Sequence, residues 1–185
     1  PGVRRLVEES WRRSLNLAVD PDRVLGAVDL DEDALRDYRA GHPLAFALPA
    51  IHRLLIRHTF ESGLIVAVGD EHGRLLWIDG DRTLRRRAEG MLFVEGADWS
   101  EASVGTSAPG TAIALDHGIQ IAGPEHFTRI AHPWSCTAVP IHDPESGGVL
   151  GVIDITGGDD AVAPATLPLL EAAVAAVEAE LRIRR

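Results

Sequence analysis

The sequence predicts an α+β domain, an antiparallel sheet with helices around it. Three observations carry this expectation. Apolar spacing is helical up to about residue 60 and then changes to short β-branched runs. Those runs pair across tight turn chemistry, Asp70-Glu71-His72-Gly73 and Asp143-Pro144-Glu145-Ser146-Gly147-Gly148, which marks hairpins and hence antiparallel pairing. The chain closes on an Ala-rich stretch whose apolar residues step by three and four. Hairpins in place of strand–helix–strand alternation exclude a doubly wound sheet.

Taken in order, Val3, Leu6, Val7, Trp11 and Leu15 define a first amphipathic helix that stops near Asp20-Pro21. Residues 22–42 are polar and mixed, and Asp31 is placed to cap a short helix carrying Leu35 and Tyr38. A second amphipathic helix is predicted from Leu44 to Phe60, with Leu48, Ile51, Leu55 and Thr59 on one face; Pro49 either kinks it or marks its start, and Ser62-Gly63 ends it. Strands follow at Leu64–Val68 and Leu75–Ile78, then an Arg-rich helix over Thr83–Met91. Residues 93–110 form a long Gly/Ser-rich segment around Trp99. Thr106 or Ser107 is placed to cap a short helix containing Ala112, Ile113 and Leu115, closed by Gly118. Ile119–Ala122 reads as a short strand, Glu125–His132 as one or two helical turns, and Ser135–Ile141 and Val149–Ile155 as the second hairpin. Leu167, Leu170, Val174, Val177 and Leu181 form the stripe of the closing helix. The division expected is a helical segment over 1–43 and a sheet domain over 44–185.

With 185 residues the chain suits one compact domain, and 45% hydrophobic with 25% charged residues is ordinary for a soluble protein. A net charge of −10 repels a phosphate backbone, so duplex DNA is not an expected partner of this domain. A single cysteine excludes a disulfide framework and a multi-cysteine metal site. No apolar run approaches the roughly 20 residues of a membrane span, and no signal-peptide pattern opens the chain. These features predict a cytoplasmic domain. A start at Pro1 and a helix that runs to Arg185 without a stop signal suggest a piece of a longer protein.

No catalytic constellation is visible. Gly105-Thr106-Ser107-Ala108-Pro109-Gly110 lacks the Lys and the spacing of a phosphate loop, and Ser103 and Ser107 sit in no nucleophile elbow. His126 and His132 are six apart, off a common helical face, so structural histidines outweigh a metal site. A haem on His126, His132 or His117 has no support from spacing. Cys136 reads first as a small buried hydrophobe and second as a redox-sensing thiol, which would need exposure and a low pKa. Asp154, on an apolar strand, is expected to meet a buried backbone or Arg partner. A Glu101–His126 acid/base pair is conceivable, although no pattern singles it out. Aromatic residues stand out in the irregular segments: Phe93, Trp99, Phe127 and Trp134.

The stretch from Gly96 to Gly157 carries a resemblance. It contains Trp99-Ser100-Glu101, then Gly105-Thr106-Ser107-Ala108-Pro109-Gly110-Thr111-Ala112, Gly123-Pro124-Glu125-His126-Phe127, Cys136-Thr137-Ala138-Val139-Pro140-Ile141 and Leu150-Gly151-Val152-Ile153-Asp154-Ile155-Thr156-Gly157. This order resembles the N-terminal GAF sensor domain of bacterial activators of acetoin and glycerol catabolism, and Glu9-Ser10-Trp11-Arg12-Arg13-Ser14 resembles the opening of that region. Ser107 and Pro109 depart from the Asn and Ile usual there. The resemblance implies a GAF-like (PAS-like) antiparallel sheet of about six strands with helices on both faces and no enzymatic activity; the residues themselves point to no cofactor or metal. It also implies dimerisation through the terminal helices and a small-molecule pocket. The expected pocket residues are Trp99, Thr106, His126, Phe127, Trp134 and Cys136. The function expected is metabolite sensing for a transcriptional regulator that binds DNA through another domain. The alternatives are an interaction or dimerisation module without ligand, or a haem or redox sensor using a His or Cys136.

Overall fold

A computed structural model describes residues 2–22, 28–59 and 62–184. Strands β1 (Leu64–Asp70), β2 (Leu75–Gly80), β3 (Ile119–Ala122), β4 (Ser135–His142) and β5 (Val149–Gly157) form one sheet in the order β2-β1-β5-β4-β3. All neighbouring pairs are antiparallel. Among the described residues there are five strands where about six were expected. The Gly/Ser-rich segment makes only isolated bridges, Val28 to Ala97 and Arg74 to Asp98. Gly96 at φ +92° and an Asp98 carboxylate that accepts from Ser100 N–H turn the chain before a ladder can grow.

The helices are α1 (Arg5–Asn16), α2 (Glu32–Ala40), α3 (Leu48–Leu54), α4 (Arg82–Glu89), α5 (Glu101–Val104), α6 (Ala108–Leu115) and α7 (Thr166–Ile183). Asp31 caps α2 as expected, accepting from Ala34 N–H at 2.7 Å. The single helix expected over Leu44–Phe60 is three pieces: a 3-10 turn at Pro43–Ala47, α3, and a second 3-10 turn at Ile56–His58. Pro49 lies in the first turn of α3, where a missing N–H costs nothing, so it starts the helix and does not kink it. Phe60 and residues 23–27 lie outside the described residues. The predicted turns at Glu125–His132 are two 3-10 pieces, Gly123–Glu125 and Arg129–Ala131. Asp116, in the left-handed conformation, ends α6 ahead of Gly118.

Side chains alternate across each strand, so the sheet has two distinct faces. One carries Val66, Val68, Val139, Ile141, Ile153 and Ile155 against α3, α7 and the Pro43–Ala47 turn. The other carries two clusters. Ile65, Ala67, Leu75 and Ile78 meet Ala88, Met91, Phe93, Trp99 and Trp134; Ile119, Ile121, Cys136, Ala138 and Val152 meet Val7, Ala108 and Ala112. The first helix departs from its predicted face: Val3 and Leu15 are exposed, while Val7, Ser10 and Ser14 are buried.

The closing stripe is also corrected. Leu170, Val174, Val177 and Leu181 are buried in the chain's own core beside Leu44 and Ile51, so they are not free to form the expected dimer seam. Apolar steps of three and four serve a sheet face as well as a partner helix. Leu170→Ala should therefore lower the unfolding free energy by about 2–5 kcal/mol in urea titration. Its mass by light scattering should match that of the parent chain.

Candidate functional site

Two groups of buried polar side chains lie on the sheet face covered by α5 and α6. The first is built around Glu101, in the first turn of α5. Its carboxylate accepts from Arg13 Nε at 2.5 Å and Nη2 at 3.1 Å, from the Ser10 hydroxyl at 2.9 Å and from the Thr111 hydroxyl at 3.1 Å. Ser10 Oγ also lies 2.5 Å from Thr106 Oγ1. Trp11 donates its indole N–H to the Glu125 carbonyl, and Arg4 bonds the Glu125 carboxylate. Thus α1 is stitched to α5, α6 and the Gly123–Glu125 turn. Close packing accompanies it. A Cβ on Gly110 would lie 2.6 Å from Glu101 N and 2.7 Å from Trp99 O, and one on Gly105 would strike Phe127 at 2.7 Å.

The second group lies on the strands. Asp154 and Thr156 on β5 share a face with Cys136 on β4, and all are buried. Asp154 is opposite Ala67 on β1 and Ala138 on β4; Thr156 is opposite Cys136. The Thr156 hydroxyl donates to Asp154 Oδ2 and lies 3.1 Å from Cys136 Sγ. Cys136 Sγ is 3.8 Å from His126 Nε2. His126 Nδ1 is 2.9 Å from the Gly123 carbonyl, to which it donates, leaving Nε2 as an acceptor in the neutral ring. His132 Nε2 in turn donates to the His126 carbonyl at 3.0 Å. Asp154 Oδ1 has no partner among the described residues. The expected Arg or backbone partner of Asp154 is absent there. The Glu101 carboxylate is held by Arg13, not by His126.

The six residues expected to line one pocket are distributed along the covered face, with Trp99 and Trp134 in one apolar cluster. His126 and Cys136 come together beside Thr156. Trp99 stacks edge-on with Phe93 at 5.0 Å and gives its indole N–H to the Leu92 carbonyl, while Trp134 carries the Arg87 guanidinium over its ring at 5.3 Å. Thr106 belongs with Ser10 and accepts, through its carbonyl, from Phe127 N–H. Sequence reasoning did not foresee the roles of Ser10, Arg13, Glu101 and Thr111, and it took Asp154 for a satisfied structural group. Their signal was present, since each lies in a quoted motif. Ser107, at the start of α6, makes no side-chain cap bond; its hydroxyl reaches toward the Trp99 carbonyl at 3.5 Å.

The electrostatics of the second group are set by burial. It pushes the Asp154 carboxyl up to about 7 from 3.8, against the lowering effect of the Thr156 hydrogen bond. It holds His126 down to about 4 from 6.5. It also raises the Cys136 thiol well above its ordinary range, with Asp154 adding to the effect. A buried thiol shifted in that direction is the opposite of a redox-sensing cysteine. Among the described residues no three His, Cys, Asp or Glu side chains cluster as a metal would require, and no helix is long and apolar enough to cross a membrane.

An antiparallel sheet with helices on both faces, one of them covered by loop-borne short helices over a polar patch, is the architecture of a GAF-like domain. The chain belongs to the family of MimR N-terminal domains, which it matches over residues 2–179. It is 53% identical over 180 residues to an uncharacterized 47.3 kDa protein in the thcA 5' region of Rhodococcus erythropolis, covering 97% of this chain and 41% of that protein. It is 34% identical to the acetoin dehydrogenase operon transcriptional activator AcoR of Bacillus subtilis (97% of this chain, 30% of that one). It is 29% identical to the propane 2-monooxygenase operon transcriptional activator MimR of Mycolicibacterium goodii (95% and 29%). The chain therefore spans less than half the length of these curated relatives. Among solved structures it is similar to the Escherichia coli DhaR(N)–DhaL complex, with a TM-score of 0.85 at 20% identity over 98% of this chain and 61% of that chain. The family agrees with the resemblance to acetoin-type activators.

Two outcomes test this geometry. Arg13→Met leaves the buried Glu101 carboxylate without its guanidinium and should cost about 1–3 kcal/mol, allowing for the partial exposure of Arg13. Arg5→Met removes only an exposed i,i+4 pair with Glu9 and should cost about 0.5 kcal/mol or less. Urea titrations of equal cost would contradict the Glu101 assignment. The second outcome concerns pH. Between about 4 and 7 folded Asp154 holds more protons than unfolded Asp154, so its contribution to stability falls as pH rises. Between about 4 and 6.5 the unfolded state holds more protons on His126, so that contribution rises with pH. The two oppose each other in the parent chain. Asp154→Asn should leave stability climbing from pH 4 to 6.5 more steeply than in the parent; His126→Asn should leave it falling from pH 4 to 7. Thermal melts at closely spaced pH read both, and parallel profiles would contradict the burial of these groups.

Proposed function

We propose that this chain is the small-molecule-sensing domain of a bacterial transcription activator, without catalytic activity, acting in the cytoplasm and controlling DNA binding or activation by a region beyond it. A ligand lodges on the sheet face beneath α5 and α6. His126 and Cys136 are its polar surroundings and Trp99, Phe127 and Trp134 its apolar wall. Thr106, tied to Ser10, holds the cover. Residues 1–43 brace a sensor body formed by 44–185. The observation that supports this most is the buried group of Asp154, Thr156, Cys136 and His126 in an otherwise apolar layer. Polar groups at such a place specify a ligand's orientation.

Signal leaves through α7. Strands β4 and β5 carry Cys136, Ala138 and Asp154 on the ligand face and Val139, Ile141 and Ile153 on the face that packs α7. A ligand that binds two arrangements of these strands unequally biases α7 through one layer of backbone.

An interaction module is the second reading, favoured by the similar solved structure, in which DhaR(N) is complexed with DhaL. Native mass spectrometry of the purified chain, with a thermal-shift screen of alcohols, ketones, aromatic metabolites and nucleotides, separates the two. Sensing predicts a bound small molecule or a rise of about 5–10 °C at about 100 times Kd. A chain that responds to none of these and is stabilised only by a protein partner is an interaction module.

A further inference from the structure

We infer that Asp154 is the polar anchor of the ligand site, and that through its Oδ1 it selects small neutral molecules bearing a hydroxyl group over negatively charged ones. This rests on the sensing function proposed above and names its ligand class.

Among the described residues three carboxylates are buried, and two of them are fully bonded. Asp70 accepts from His72 N–H, Arg74 N–H and the Tyr38 hydroxyl. Glu101 accepts from Arg13, Ser10 and Thr111. Asp154, only 1% exposed, accepts from Thr156 alone, and its Oδ1 is the one buried side-chain polar atom without a partner among the described residues. An orphan of this kind weakens the fold, so it persists where something else meets it.

The surroundings define what that is. Ala67 and Ala138, opposite Asp154 on the two neighbouring strands, are the shortest side chains that carry a Cβ, so neither can reach over the carboxylate. Ala67 belongs to the same cluster as Trp99 and Trp134, which places an apolar body beside the polar end. Two titratable groups share this patch, Cys136 and His126; the charges of His132 and Glu125 also act on His126, in opposite directions. His126 gives its Nδ1 proton to Gly123, and burial keeps the ring neutral, so it supplies no cation for an anionic ligand. An anion would face Asp154 itself. A hydroxyl suits Oδ1 in both states, donating to the ionised carboxylate and accepting from the protonated one, as burial pushes the carboxyl up to about 7.

The test uses the 185-residue chain with two matched pairs, 1-butanol against butyrate and benzyl alcohol against benzoate, followed by saturation-transfer NMR titration at neutral pH. The alcohols should bind and the acids should not. Asp154→Leu, which removes the orphan, should fold at least as stably yet lose alcohol binding about tenfold or more. Asp154→Asn keeps the shape and an acceptor oxygen and should bind within a few-fold of the parent, which guards against a folding defect in the Leu variant. Alcohol binding unchanged in Asp154→Leu overturns the anchor while leaving small-molecule sensing in place. So does binding of the acids in preference to the alcohols. No binding of any of the four probes overturns the anchor and counts against the sensing function as well.

Discussion

The arrangement of the covered face depends on one ion pair, the buried Glu101 carboxylate with the half-buried Arg13 guanidinium. A helix of 12 residues such as α1 is marginal alone in water, and α5 has a single turn. Neither would hold a defined position on propensity. Glu101 fixes both, because a carboxylate taken out of water must be met by donors, and the donors available come from α1 and α6. The close approach of α6 to the Trp99–Glu101 backbone, which only glycine at 110 allows, completes the lock. The cover over β4 and β5 is therefore assembled by charge satisfaction as much as by apolar burial.

Asp154 obeys the opposite logic within the same layer. Local rules of polar satisfaction hold at Asp70 and Glu101 and fail at Asp154. Agreement between levels of structure is the norm in natural sequences, and isolated violations gather at functional sites, where stability is given up for binding. The Cys136 thiol and the His126 imidazole beside it are kept neutral by burial, so the Asp154 carboxyl, pushed up to about 7, is the one source of charge in this patch.

Much of the fold was legible in the sequence. The change from helical spacing to short apolar, β-branched runs located all five strands, and turn chemistry gave both hairpins. Asp31 announced its own cap. Features that depend on what a residue meets across the fold were not legible. Ser10 and Ser14 were no part of the apolar stripe read for α1, yet they are buried, and Glu101 and the helix's own carbonyl satisfy them. Leu170 to Leu181 carried a stripe that suits a partner helix or a sheet equally, and only the three-dimensional position of β4 decides. Of the six expected pocket residues, His126 and Cys136 adjoin, since their motifs converge on β4 and the turn before it. Trp99 and Thr106 sit in motifs that serve the cover. Asp154 could be noticed but not interpreted, because the absence of a partner is a property of space and not of spacing.

The two-faced character of β4 and β5 sets how such a domain can transmit anything. Packed interiors are stiff, so a shift of a strand by a few tenths of an ångström cannot be absorbed within the layer beside it. Val139 and Ile153 stand one residue from Ala138 and Asp154 and press, with Ile141, on α7 through Leu170, Val174 and Val177. On the opposite side α6 packs on the same two strands through Ala108 and Ala112, whose short side chains bring helix and sheet close. A small molecule placed between Asp154 and this cover has two ways to be accommodated, lifting α6 or moving the strands. The Glu101 lock opposes the first. Under the proposed sensing function the strands would then yield, and α7, which packs on β4, would move with them.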